Sequence, residues 1–208
     1  MPRRSTLTAV LSVALTLALS AQAAAMTTIS RSGNTVTITG GDEVNTVEQV
    51  TPGGESGPLR YKDPAGISFD GSCTDVGGNT VECGMLTSGL VATVSLGGGD
   101  DTFQPDRVLT TAPQVNVDLG AGNDTSFGSA GNDTINGGPG NDAVTGMGGN
   151  DQIDGGDGND RLTGAGGDDT ITGGSGVDSM FGDGDFSGFS WGADTLRARD
   201  GEVDALSC

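Results

Sequence analysis

The chain has 208 residues, 39 of them Gly, with 4% aromatics and 33% hydrophobics; this excludes a large conventional core and leaves room for one domain or two small ones. Its formal charge of -19, from 9 basic and 28 acidic residues, excludes a nucleic-acid binder, because phosphate contacts need clustered Lys and Arg. So much glycine makes folding costly in backbone entropy, so order has to come from regular stacking or bound ions, and the acidity points to a cationic partner.

At the amino terminus Arg3 and Arg4 precede an apolar run from Leu7 to Leu19, followed by the small residues Ala21-Gln22-Ala23. This reads as a secretory signal peptide over residues 1–25, cleaved after Ala23 or Ala25. The run is too short and too interspersed with Ser and Thr to span a membrane, and no other segment comes close. Loss of two arginines takes the charge to -21. The expected location is therefore extracellular, in a secreted protein.

Residues 26–95 hold Thr35–Thr39, Asn45–Val50 and Thr80–Glu82, apolar-alternating stretches between glycine-rich turns without helical periodicity. They are expected to form short strands and a small N-terminal β cap over the open end of a longer stack of strands. Cys73 and Cys83, ten residues apart, suit a hairpin-closing disulfide in an oxidising compartment. With no histidine and one further cysteine, Cys208, a four-ligand zinc site has no candidate set. Cys208 is left free or paired between chains.

Leu96-Gly-Gly-Gly-Asp-Asp-Thr-Phe103 echoes a segment at residue 119, and each copy follows a short alternating strand, Val91–Ser95 and Val115–Asp118. The copies are 23 residues apart, so the stretch containing Pro105 and Pro113 is expected to interrupt the regular coil.

From Leu119 the chain falls into a nine-residue period: LGAGNDTSF, GSAGNDTIN, GGPGNDAVT, GMGGNDQID, GGDGNDRLT, GAGGDDTIT and GGSGVDSMF, ending at Phe181. All seven units hold Gly at the fourth position and Asp at the sixth. The eighth position reads Ser126, Ile135, Val144, Ile153, Leu162, Ile171 and Met180, one inward side chain per unit. A three-residue strand and a six-residue turn form each unit, and two units form one coil. The apolar residues then separate into two facing stacks, Ile135, Ile153 and Ile171 against Val144, Leu162 and Met180. The aspartates separate likewise, with Asp124, Asp142, Asp160 and Asp178 on one edge and Asp133, Asp151 and Asp169 on the other. Coils lie about 4.8 Å apart, so like charges on an edge repel by about 1 kcal/mol in water and several-fold more when buried. A divalent cation between coils reverses that sign, and calcium, with its six to eight oxygen ligands, suits such an edge better than magnesium.

These units resemble the RTX, or haemolysin-type, calcium-binding repeat, Gly-Gly-x-Gly-x-Asp-x-apolar-x. The resemblance implies an all-β fold, a parallel β-roll or β-solenoid, in which the turns bind Ca2+ through the sixth-position Asp and turn carbonyls. It makes Asp124, Asp133, Asp142, Asp151, Asp160, Asp169 and Asp178 ligands. The fourth-position glycines Gly131, Gly140, Gly149, Gly158 and Gly167 allow the turn, and Asp101, outside the regular period, is a further candidate. One ion bridging units two apart implies about five ions. Ser129, Met147 and Ala165 replace the second glycine and Leu119 the first, so those turns are expected to be less regular. Asn or Asp fills the fifth position except at Val177. The third position lacks the Thr that a flat ice-binding array would need.

The domain reading is a signal peptide at 1–25, a short-strand β region at 26–95, calcium-binding repeats at 96–181, regular from 119, and an interrupted repeat with cap at 182–208. In that last part Gly192-Ala-Asp-Thr-Leu196 resumes the pattern, placing Asp194 at a sixth position, while Phe186, Phe189 and Trp191 are expected to cover the solenoid end. No Ser-His pair, metalloprotease helix or Gly-x-Ser-x-Gly elbow is present, so the chain is not read as an enzyme. The function expected is calcium binding by a secreted structural or surface/matrix protein, or by the non-catalytic module of a secreted hydrolase or adhesin.

Overall fold

The structure, a computed structural model, describes residues 27–50, 58–63, 67–69, 71–78, 80–85, 90–105, 114–183, 192–198 and 203–207. The expected signal peptide, the Asp185 to Trp191 insert, Pro113 and Cys208 lie outside the described residues. Every regular element among the described residues is a strand. The first are β1 (Thr27–Ser32), β2 (Thr35–Thr39), β3 (Thr46–Val50), β4 (Pro58–Lys62), β5 (Ile67–Phe69), β6 (Thr74–Asp75) and β7 (Thr80–Met85). Then come β8 (Val91–Ser95), β9 (Thr102–Gln104), β10 (Gln114–Asp118) and β11 (Thr125–Phe127). The periodic region forms β12 (Thr134–Pro139), β13 (Ala143–Gly148), β14 (Gln152–Asp157), β15 (Arg161–Gly166), β16 (Thr170–Ser175) and β17 (Ser179–Asp183), followed by β18 (Thr195–Arg197) and β19 (Ala205–Ser207).

Alternate strands go to opposite sheets. One sheet runs β18-β16-β14-β12-β10-β8-β2-β1-β5, the other β19-β17-β15-β13-β11-β9-β3-β4-β7-β6. In the periodic region each strand pairs in parallel with the strand two units on, as Ile135 with Ile153 and Ile153 with Ile171 in one sheet, and Val144 with Leu162 and Leu162 with Met180 in the other. All six side chains are buried. This is the parallel β-roll, with two nonapeptides to a coil and a thin core of one inward side chain per unit on each side. The strands are longer than the three residues expected, because the second and third turn positions of successive coils pair as well, Gly138 with Gly156 and Pro139 with Asp157.

The coil starts earlier than its sequence period. β2 pairs in parallel with β8, Val36 opposite Ala92 and Ile38 opposite Val94, and β8 pairs with β10. In the other sheet β3 pairs with β9 and β9 with β11. Both sheets therefore continue across residue 95, with β8 paired to β10 and β9 to β11. Insertions change how many residues a coil contains without changing its strand register, because parallel pairing constrains only the paired residues. Val36, Ile38, Ala92, Val94, Val115 and Val117 extend one inner stack, and Val47, Phe103 and Ser126 the other.

At the amino-terminal end the pairing changes sense. β1 runs antiparallel to β2, β4 lies antiparallel between β3 and β7, and β6 pairs antiparallel with β7. A disulfide links Cys73 to Cys83 at the β6–β7 hairpin.

Candidate metal centre

At the coil edges one hydrogen bond repeats. Each sixth-position amide donates to Oδ1 of the aspartate one coil further on: Asp124 to Asp142 at 2.8 Å, Asp142 to Asp160 at 2.8 Å, Asp160 to Asp178 at 2.9 Å. On the other edge Asp133 donates to Asp151 and Asp151 to Asp169, both at 2.8 Å. The main-chain oxygen of each aspartate also accepts the next coil's seventh-position amide, as Asp133 from Gln152 and Asp142 from Arg161. The two predicted columns of aspartates are thus two hydrogen-bonded ladders.

The ladders reach further than the period. Asp101 donates to Asp124 at 2.6 Å; Asp169 and Asp178 donate to Asp194 and Asp204, both at 3.0 Å. Asp194 falls where the resumed pattern placed it. Asp204, 26 residues beyond Asp178, lies outside any nine-residue register and was missed by sequence reasoning.

One carboxylate oxygen is used in this way; the other is not. Oδ2 of Asp101, Asp124, Asp142, Asp151, Asp160, Asp169, Asp194 and Asp204 is buried and has no hydrogen-bond partner. Asp133 differs, because Ser129 donates to it from its amide at 2.5 Å and from its hydroxyl at 3.1 Å. An unpaired buried carboxylate oxygen is costly. That cost shows in the acidity. Burial raises Asp151 to about 8, helped by Asp133 and Asp169 and opposed by the Asp133 amide. Burial likewise raises Asp101, Asp133, Asp142, Asp160 and Asp169 to about 6, and Asp124 in the same direction.

The unpaired oxygens face a space that glycine leaves open. A methyl group on Gly155, at the first position of its turn, would collide with Asp160 Oδ2 and stand 2.5 Å from the carbonyl oxygen of Gly173 on the next coil. Gly146 and Gly164 repeat this on the other edge, against Asp151 and Asp169. The turns that start at Gly128, Gly137, Gly146, Gly155 and Gly164 therefore bring a carboxylate oxygen and a neighbouring coil's carbonyl oxygen together where a side chain would otherwise sit. Among the described residues no point gathers three or more acidic, cysteine or histidine side chains, so a cation here would be held by single carboxylates completed by main-chain oxygens. An all-oxygen, partly main-chain donor set fits calcium.

The fourth-position glycines Gly140, Gly149, Gly158 and Gly167 have φ between +108° and +147°. Gly158 shows why: a side chain there would run into the Gly140 carbonyl one coil back. Gly131 is not among the positive-φ residues, and its amide donates to the Ser129 hydroxyl. The turn regularity expected to be lost at Met147 and Ala165 is retained. Both hold φ near +85° and stack on each other across β13 and β15, a strain of about 1–3 kcal/mol each that the neighbouring coils impose. The fifth position has a structural job. Its side-chain oxygen accepts the amide of the next coil, as Asn123 from Asn141, Asn141 from Asn159 and Asn159 from Val177, opposite in direction to the aspartate ladder.

A parallel β-roll with two buried carboxylate ladders at its coil edges defines a class of repeat protein that holds metal ions in its turns. The RTX calcium-binding nonapeptide repeat family (4 copies) matches residues 118–153 and 154–186, and the chain carries RTX calcium-binding repeats over that region. No curated protein and no solved structure matches the chain.

Proposed function

We propose that the chain is a secreted calcium-binding protein whose roll folds as the ions enter, and that it serves as a stiff structural or surface/matrix element. Asp101, Asp124, Asp133, Asp142, Asp151, Asp160, Asp169 and Asp178 are the proposed carboxylate ligands, completed by turn carbonyls, with about five ions in the periodic region. One observation carries this reading: a file of buried Oδ2 atoms without hydrogen-bond partners, of which those of Asp142, Asp151, Asp160 and Asp169 lie with a main-chain oxygen of the next coil around the first-position glycine of their turn. Without a cation the ladders oppose folding. With one between coils the same charges become cohesive, so binding free energy is folding free energy. No histidine is present for acid–base or nucleophilic chemistry, and the acidic ladders are accounted for by the ions.

Isothermal titration with calcium tests the ligand assignment. Asp151→Ala is expected to remove binding from the middle of a ladder, while Asp75→Ala, at an exposed position outside the repeats, is expected to leave the titration unchanged. Equal effects of the two substitutions would break the assignment.

A further inference from the structure

The first coil keeps the ladder's backbone pattern but changes the chemistry at a single atom. Asn45 stands where every later rung has Asp: its amide donates to Asp101 Oδ1 at 2.6 Å, and its carbonyl accepts the Thr102 amide at 2.8 Å. Gly40 stands where Gly155 stands in its own turn. A methyl group on Gly40 would meet the Leu96 carbonyl of the next coil and lie 2.7 Å from Asn45 Nδ2. The same methyl on Gly155 meets the Gly173 carbonyl and Asp160 Oδ2. Nδ2 of Asn45 thus holds the place of the unpaired Oδ2.

That nitrogen is fully used. It donates to the Glu43 carbonyl at 2.6 Å, the Leu96 carbonyl at 3.1 Å and Asp101 Oδ1 at 3.2 Å, its two hydrogens shared among three oxygens. The reverse orientation would point the amide oxygen at three acceptors, so the neighbours fix which end is nitrogen. On the far side the Thr27 hydroxyl lies 3.2 Å from Asn45 Oδ1 and also contacts Asp63. Asn45, Thr27 and Asp63 are all buried. Where later rungs present an oxygen that needs a cation, this rung brings its own N–H donors.

We infer that the Asn45 side-chain amide takes the place of a calcium ion at the amino-terminal rung. The ion-binding column on this edge then begins at Asp101, and the first coil, β2 and β3, is held without calcium. It forms a metal-independent platform on which the calcium-dependent coils stack. This inference rests on the calcium reading above.

The test is the reciprocal substitution Asn45→Asp in the full chain, which restores a carboxylate to the first rung. Calcium titration, with native mass spectrometry as the count, is expected to give one more ion per chain than the wild type. Hydrogen exchange in chelator is expected to show protected amides in residues 46–50 of the wild type while residues 134–175 exchange freely. An ion count unchanged in Asn45→Asp, with full β signal in calcium, overturns the inference and leaves the calcium reading standing. So does loss of protection at 46–50 in chelator-treated wild type to the same degree as in the repeats, a result that needs no variant. A wild type that binds no calcium overturns both.

Discussion

Replacing Asp151 by Asn separates charge from shape at the middle of a ladder. Asp151 Oδ1 accepts the Asp133 amide at 2.8 Å, and an Asn oxygen can keep that bond. The other atom changes from an unpaired oxygen to an NH2 group close to Gly146 and the Gly164 carbonyl, the arrangement already seen at Asn45. A carboxyl that ionises at 3.8 in the unfolded chain and about 8 in the fold opposes folding at pH 7 by on the order of 4 kcal/mol. The substitution removes that opposition and one ligand charge together. Two readouts should move in opposite directions: less trimethylamine N-oxide is needed to fold the chelator-treated chain, and the calcium count falls by at least one. Far-UV circular dichroism follows the first and titration calorimetry the second. An Asp151→Asn chain that is harder to fold in chelator than the wild type would refute the electrostatic reasoning. Unchanged calcium binding would refute the ligand role.

Acidity should act on the metal-free chain in the unusual direction. The folded values near 6 to 8 lie above the unfolded 3.8, so this stabilisation is complete below about pH 3.8 and is lost as pH rises through 6 to 8. In chelator, β signal at pH 5 should exceed that at pH 8.5, while calcium affinity should fall on acidification below about 6; a signal independent of pH would contradict the shifts. Gly155→Ala should depress calcium affinity tenfold or more by filling the space beside Asp160, whereas Gly33→Ala, with φ +59° and open surroundings, should cost about 1 kcal/mol of stability with affinity unchanged in calorimetry. Removing the disulfide by Cys73→Ser with Cys83→Ser should lower stability by about 2–3 kcal/mol in thermal melts and leave the calcium count intact.

The periodic part of the roll was legible because its constraints are local. Glycine recurs at the fourth position of every unit and Asp at the sixth, so Ile135, Ile153 and Ile171 could be placed in one stack from their spacing alone. The amino-terminal coils hid themselves in another way. β2 and β8 are neighbours though 56 residues separate Thr35 from Val91, and no period survives an insertion of that size. A shorter signal does survive it: a polar corner residue, then Thr, then an inward residue. Asn45-Thr46-Val47, Asp101-Thr102-Phe103, Asp133-Thr134-Ile135 and Asp194-Thr195-Leu196 all carry it. Asp204-Ala205-Leu206 lacks the Thr and was missed. The fifth-position asparagines were visible as a row, but their role was not, because the direction of a hydrogen bond between coils leaves no mark on composition.

Circular dichroism of a chelator-washed chain titrated with calcium tests most directly whether the ladders need their ions. The expected result is a largely disordered repeat region that gains β signal in step with calcium added, up to about five equivalents in the periodic region. A spectrum already complete in chelator at neutral pH, and unmoved by calcium, would contradict it.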